Sequence, residues 1–323
     1  MTKIVLSRLV VAVPLLFLIS VLVFGISQAT PGDPVEDAFG ERLDDEAIET
    51  IRRAHGLDQP AVAQYFYWLR AFVTEGGGIS IAKQRPAMDV LLPAFANTAV
   101  LALASLIVFT VVGVAAGFVT GLRRGTLTDR FWQSVVQAGS YLSIYWFGIV
   151  LIWLFAVELG VLPAGGMRDP RQDESFADLL RHLVLPAIAG ALGGIVVLAR
   201  LTRSSVIAVL EADFFTTFRA IGLPRRLLYG RHLARNVASP VVNTVGLQLG
   251  TVLSGVVFVE IVFSWPGVGR VLTEAVGTHD YPVVQTGVML VAAVFIVVNL
   301  ATDLTLDVLN PRLRQGRRHV RAA

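Results

Sequence analysis

Five stretches of this chain run for twenty residues or more without a charged side chain: Leu9 to Gly32, Val90 to Leu122, Phe131 to Val157, Asn236 to Val259 and Tyr281 to Thr302. A hydrocarbon layer of about 30 Å is crossed by about 20 apolar residues at the helical rise, so each stretch is long enough to span a membrane. Only 16% of the residues are Asp, Glu, Lys or Arg, against about 25% in soluble domains. That is too little polar surface for a water-soluble protein of this size, and the mean hydropathy of +0.67 agrees. A soluble enzyme, a disordered chain and a nucleic-acid binder are all disfavoured. The fold class is an all-α membrane protein. The absence of cysteine removes disulfides, iron–sulfur clusters and Cys-type zinc sites.

A sixth, shorter stretch from Leu183 to Ala199 contains Pro186, Gly190, Gly193 and Gly194. Glycines at near-helical spacing let another helix approach closely, so this stretch reads as a packed inner helix. Val206 to Leu210 can continue it beyond the bilayer, with Arg200 and Arg203 snorkelling to the cytoplasmic interface. Six spans put both termini on one side. The N-terminus then shares its side with the loop Arg123–Arg130, the stretch Arg200–Arg235 and the tail after Pro311, which together hold 17 of the 27 Lys and Arg. Such an excess marks the cytoplasmic face, so both termini are expected on the cytoplasmic side. Two Lys against 25 Arg suggest a GC-rich bacterial genome and hence a bacterial cytoplasmic membrane. The first run also admits a second reading, a cleavable signal peptide ending near Ser27-Gln28-Ala29. Its length exceeds the apolar core of about 7–15 residues in such signals, which favours a retained helix.

The expected organisation is a spanning helix over 1–32, an extracytoplasmic segment over 33–89, a five-helix core over 90–310 with a cytoplasmic loop at 203–236, and a basic tail over 311–323. In the extracytoplasmic segment, Asp44 can cap a short helix through Ala54, with Leu43, Ala47, Ile48 and Ile51 on one face and Gly56 as the stop. A second helix begins near Asp58-Gln59-Pro60 and carries an aromatic stripe, Tyr65, Trp68, Leu69 and Phe72. Two readings stand for the stripe: a platform for an external partner, or packing against the spans and lipid. Gly76-Gly77-Gly78 ends that helix. In the cytoplasmic loop, Glu211 and Asp213 precede Phe214 to Ile221, Gly222-Leu223-Pro224 breaks the run, and a cationic segment follows from Arg225 to His232. This predicts helix, Gly-Pro turn and helix. Periodicity alone leaves open whether it docks into a soluble partner or is a solvated loop.

From Asp213 to Pro240 the chain resembles the cytoplasmic signature loop of ABC-importer permeases, specifically the first permease subunit of dipeptide and oligopeptide importers. The shared residues are Glu211, Asp213, Thr217, Arg219, Ala220, Gly222, Leu223, Arg231, His232, Arg235, Asn236 and Pro240. Phe218 stands where the family usually has Ala, and Ile221 where it has Lys. Further matches lie in order along the chain: Pro31-Gly32-Asp33-Pro34, Gly56-Leu57-Asp58-Gln59-Pro60, Gly78-Ile79-Ser80, Asn97-Thr98, Gly121 to Gly125, Asp129-Arg130, Glu260 to Arg270, Asp280 to Gln285 and Asn310-Pro311-Arg312.

The resemblance implies six spans of the type I ABC importer permease fold. It also implies a heterodimer with a second, related permease, two cytoplasmic ABC ATPases and an extracytoplasmic substrate-binding protein. This chain has no Gly-x-x-x-x-Gly-Lys-Ser/Thr loop, so it does not hydrolyse ATP by that route, and ATP and Mg are expected on the partner ATPases. The chain itself is expected to carry no catalytic residue, cofactor or metal. Contact with an ATPase is expected of Glu211, Asp213, Thr216, Thr217, Phe218, Arg219, Ala220, Ile221, Gly222, Leu223, Arg225, Arg226, Arg231 and Arg235. The modal cargo is a di- or oligopeptide, with nickel, glutathione or another small solute as the alternative.

Glu260 carries two readings. With Phe263, Trp265, Pro266 and Gly267 it can line an outer gate or meet the binding protein. Alternatively it is an interfacial carboxylate beside an aromatic anchor at Trp265. Asp303 and Asp307 read as interfacial or paired with the tail, where Arg312, Arg314, Arg317, Arg318 and Arg321 meet anionic lipid. The rival class is an ATP-independent secondary transporter, which usually places ionisable groups or repeated broken helices at the midplane. The charge-free spans argue against it. The five histidines, His55, His182, His232, His279 and His319, show no ligand spacing.

Overall fold

The computed structural model describes residues 2–31, 35–36, 44–54, 56–169, 171 and 175–309. Residues 32–34, Leu43, His55 and everything from Asn310 onward lie outside them, as do the side chains of Asp303 and Asp307. The regular structure described is helical: α1 (Thr2–Ala29), α2 (Asp45–Ala54), α3 (Ala61–Thr74), α4 (Ala87–Leu122), α5 (Leu127–Gly139), α6 (Ile144–Leu151), α7 (Phe176–Leu210), α8 (Asp213–Ala220), α9 (Arg225–Leu227), α10 (Ala234–Val262), α11 (Val268–Gly277) and α12 (Tyr281–Leu309). Two wider turns with i→i+5 bonding continue α6 over Ile152–Glu158 and join α9 to α10 over Leu228–Leu233. Helix satisfies the backbone within each segment, which a chain surrounded by lipid must do despite its many β-branched residues. Pro14, Pro93, Pro186 and Pro240 lie within helices and are accommodated there.

Among the described residues, five helical segments are long and apolar enough to cross a membrane. A sixth candidate is the pair Leu127–Gly139 and Ile144–Glu158, bent by 110°. The continuous span expected over Phe131 to Val157 is therefore broken. Ser140 and Tyr141 close the first half with bonds to Val136, Gln137 and Ala138 carbonyls, and Ser143 opens the second. Gly139, Ser140 and Ser143 at this point are residues that favour turns over helix interiors.

The chain divides into two compact units, Met1–Ala99 with Trp265–Leu300, and Val100–Ser264 with Ala301–Ala323. In the first, the aromatic stripe of α3 packs on the spans. Tyr65 and Trp68 are buried with Val23 and Met289, flanked by Leu16, Ile19, Phe24, Leu69 and Phe72. Phe24 meets Tyr65 edge-on at 5.4 Å and stacks on Trp68 at 6.3 Å, and Tyr65 hydroxyl and Ser20 Oγ share a 2.8 Å hydrogen bond. The packing reading of the stripe holds, and the external-platform reading fails for these side chains. Asp44 caps α2 as expected, accepting from Ala47 N at 2.9 Å, and Gly56 ends it at φ 67°. On the polar face of α2, hydrogen bonds from Arg52 and Arg53 hold the Glu49 carboxyl below the usual carboxylate range.

After α3, Gly77 sits against α12 at φ 89°. A Cβ there would fall 2.3 Å from Thr286 Oγ1, and that hydroxyl donates to the Gly77 carbonyl at 2.9 Å. The following hairpin is held by Asp280, 2% exposed, which accepts from Ser80 Oγ and from the backbone N–H groups of Ile81 (3.1 Å) and Ala82 (3.3 Å).

In the second unit α7 is the inner helix, as its glycines predict. Half of its most apolar window is buried, against 22–28% for the other spans. Its partner is α4. Gly113, Gly117 and Gly121 of α4 face Leu198, Ala199 to Arg203 and Val206 of α7, and a Cβ on Gly117 would meet Ala199 O at 2.5 Å. In return Gly190 and Gly194 of α7 admit Ser105 and Phe109 of α4. Gly193 faces open space, so it takes no part in the seam. The long helix runs on to Leu210, including the extension over Val206 to Leu210.

Candidate functional site

The stretch after α7 has the helix–turn–helix form that its residues predict. Glu211 closes α7 through its N–H to Ile207 O at 3.0 Å, and α8 starts at Asp213. One face of α8 turns back: Phe215 is 1% exposed and meets Tyr229 at 6.0 Å, while Phe218 lies 4.7 Å from the His232 ring. The opposite face, with Thr216, Thr217, Arg219, Ala220 and Ile221, is exposed. Ile221 is 67% exposed, an apolar tip. The family's Ala is replaced by Phe218 at the position that packs on His232, so the larger side chain is absorbed within the loop.

Gly222 follows at φ 75°. Its N–H donates to Arg219 O and that of Leu223 to Phe218 O, both at 3.2 Å. This left-handed cap is a conformation that glycine adopts without strain. Pro224 then starts α9. Leu228 and Leu233, 3% and 0% exposed, anchor the wider turn, and Arg225, Arg226, Arg231 and Arg235 are all exposed. The arrangement is a short helix and cap on an aromatic base, with four guanidinium groups beside it. It is built to be held rigid and to offer an outward face.

One polar tether braces this loop and two more join α5 to α7, which carries it, and sequence reasoning missed all three. Arg124 pairs with Glu211. Asp129, 1% exposed, takes a forked pair from Arg203 Nε and Nη2 at 2.9 Å each, and also accepts from Gly125 N and Gln133 Nε2 at 2.9 Å. Arg200 Nη2 donates to Gln137 Oε1 at 2.8 Å and Ser140 Oγ at 2.5 Å. A signal for Asp129 was present in the spacing Thr126-x-x-Asp129. Thr126 Oγ1 caps α5 by accepting from Asp129 N at 3.3 Å.

The outer candidates are distributed differently. Glu260 and Phe263 belong to the second unit, 0% and 1% exposed, and Phe263 O accepts from Gly166 N at 2.8 Å. Trp265, Pro266 and Gly267 belong to the first. Trp265 is fully buried, and its Nε1–H donates to Asn97 O at 2.9 Å. Asn97 Nδ2 returns a bond to Pro266 O, and Val268 N donates to Thr98 Oγ1, both at 2.9 Å. The reading of Trp265 as a headgroup anchor is therefore corrected, because its indole N–H is spent on protein. The interfacial reading of Glu260 falls with it, since the residue has no exposed surface. Of the five, Pro266 is exposed and Gly267 opens α11 with extended backbone. Among the described residues, no group of three His, Asp or Glu is placed to hold a metal ion.

Comparison with known proteins places these features. Residues 111–315 match the family model "Binding-protein-dependent transport system inner membrane component", and residues 1–101 match the model of the corresponding N-terminal region. The chain is 38% identical to the di/tripeptide transport system permease protein DppB of Pseudomonas aeruginosa, with 98% of this chain and 100% of that one covered. It is 35% identical to the dipeptide permease DppB of Escherichia coli K12 (97% and 99% covered) and 35% identical to the glutathione transport system permease protein GsiC of the same strain (97% and 99%). Among solved structures it is similar to a chain of the MetNI methionine ABC transporter in inward-facing conformations. The TM-score is 0.55 at 16% identity, covering 69% of this chain and 97% of that one. At that identity the likeness shows the fold, that of an ABC importer permease.

Proposed function

The chain belongs to the family of binding-protein-dependent transport system inner membrane components, and from that premise we propose that it forms half of the translocation pathway of an ATP-driven importer of di- and oligopeptides. The similarity to di/tripeptide and dipeptide permeases supports this cargo. Glutathione, itself a tripeptide, is the second reading, favoured by the equal identity to a glutathione permease. The other half of the pathway is a related permease. Two ATPases bind ATP and Mg at the cytoplasmic face, and an extracytoplasmic binding protein delivers the substrate. Both termini lie in the cytoplasm.

The observation that carries the mechanism is the outward face of α8 and its cap. Thr216, Thr217, Arg219, Ala220 and Ile221 are exposed while Phe215 and Phe218 pack on Tyr229 and His232 of the wider turn that leads into α10. Seated in a cleft of an ATPase, Ile221 would be buried and Arg225, Arg226, Arg231 and Arg235 would meet acidic groups. Closure of the ATPase pair would push on α8. Its aromatic base would pass the displacement to α10, and the Arg124–Glu211 and Asp129–Arg203 tethers would pass it to α5 and α7. ATP can drive transport only by biasing two packings of the spans that differ in their contacts. The test is Gly222→Asp. A Cβ at Gly222 meets nothing within 4 Å, and Asp enters the left-handed region at a modest local cost. The variant is therefore expected to insert and keep its spans while uptake and substrate-stimulated ATPase activity are lost. Normal peptide uptake by this variant refutes the coupling role.

A further inference from the structure

A cavity of about 180 Å³ lies among α4, α5 and α7 in the second unit, lined by Ala116, Thr120, Trp132, Gln133, Arg200 and Arg203, among others. That is well beyond the 10–15 Å³ or so that one water needs. Two guanidinium groups line it, and their situations differ. Arg203 is neutralised by the fork from Asp129. Arg200 donates to the neutral Gln137 and Ser140, and no carboxylate among the described residues stands in ion-pair reach of it. The lining therefore carries one positive charge without a carboxylate partner, on an exposed side chain that reaches the edge of the cavity.

We propose that this cavity is a binding site for the phosphate of an anionic phospholipid. Arg200 supplies the charge, and its remaining N–H groups are free in number to donate, since the guanidinium has five. Gln133 gives one amide N–H to Asp129 and has a second to donate, whereas the Thr120 hydroxyl is spent on the Ala116 and Gly117 carbonyls. Trp132, 39% exposed, brings an indole to the wall, the side chain favoured at headgroup depth. Phe131 and Val135 of the same helix are 63% and 43% exposed, an apolar surface on which acyl chains can lie and which a free phosphate would leave unused. Basic pockets between spanning helices bind lipid headgroups by this combination. Bound there, the lipid would brace α7 against the bend after α5, where Arg200 already reaches Ser140. The inference needs only that the helices span a membrane, and it is independent of cargo and of coupling.

The experiment uses the intact importer complex in nanodiscs of phosphatidylcholine with or without phosphatidylglycerol, and native mass spectrometry counts the phosphatidylglycerol retained. Arg200→Gln is expected to lower retention about fivefold, the worth of one guanidinium near an anionic surface. Ala116→Leu, which fills the cavity and leaves Arg200 intact, is expected to do the same. Equal retention by the parent and both variants overturns the proposal. So does inorganic phosphate raising the melting temperature in phosphatidylcholine discs as much as phosphatidylglycerol does, with the same dependence on Arg200, since the site would then belong to a soluble anion. Peptide uptake is not the readout, so either result leaves the transport function standing.

Discussion

Asp129 is an acid buried to 1% that accepts four hydrogen bonds, two of them from Arg203. Charge-assisted bonds of this kind contribute about 1.5–3 kcal/mol each, and the Arg203 side chain keeps 25% of its exposure, which moderates the loss when one partner is removed. Asp129→Asn is expected to destabilise the protein by about 2 kcal/mol in mixed-micelle equilibrium unfolding. The double variant with Arg203→Met is expected to lose less than the sum of the singles. Strict additivity would show that the pair contributes no coupling. Both residues stand out in the sequence, as the acid of a basic loop and as a cation at the end of a span. Their pairing does not, because 74 residues separate them and only the α5–α7 packing brings them together. Trp265 makes the converse point. A Trp at the end of an apolar run suits a headgroup layer, yet here the carbonyl of Asn97 claims its N–H.

At the scale of elements, the α4–α7 seam shows what small residues accomplish between apolar helices, where no hydrophobic driving force separates helix contact from lipid contact. A methyl group at Gly117 would collide with backbone at 2.5 Å, whereas one at Gly193 would meet nothing within 4 Å. Gly117→Ala is thus expected to cost about 1–3 kcal/mol through overpacking. Gly193→Ala is expected to be neutral or stabilising by up to about 1 kcal/mol from helix propensity. Thermal unfolding of the two variants side by side in detergent checks this, and equal midpoints would contradict the seam. The existence of an inner helix was legible from glycine spacing, but not which glycines touch. Gly193 and Gly194 are adjacent and point apart, so rotation about the helix axis decides. The broken span had a weaker signal still. Gly139, Ser140 and Ser143 sit inside a charge-free run, and hydropathy has no sensitivity to a 110° turn.

For the whole molecule, the lack of cysteine makes the proposed orientation directly testable. Ile221→Cys, at an exposed position, is expected to react with a membrane-impermeant maleimide only in inside-out vesicles. Arg85→Cys, exposed in the hairpin after α3, is expected to react only in right-side-out vesicles. Labelling of position 221 from outside would overturn the cytoplasmic placement of α8 and with it the proposed motor contact. The sequence by itself determined that the chain crosses a membrane as helices, roughly where each crossing begins and ends, and that a capped helix projects between the fourth and fifth. Those features depend on local properties: the length of an apolar run, the φ that glycine permits, the donor that proline lacks. Only the tertiary structure decided which faces meet, that the aromatic stripe of α3 turns inward, that Trp265 is spent on Asn97, and that Arg200 is left without a counter-charge beside a cavity. Those outcomes depend on distances between residues remote in the chain, and close packing sets such distances in a way no window of neighbouring residues records.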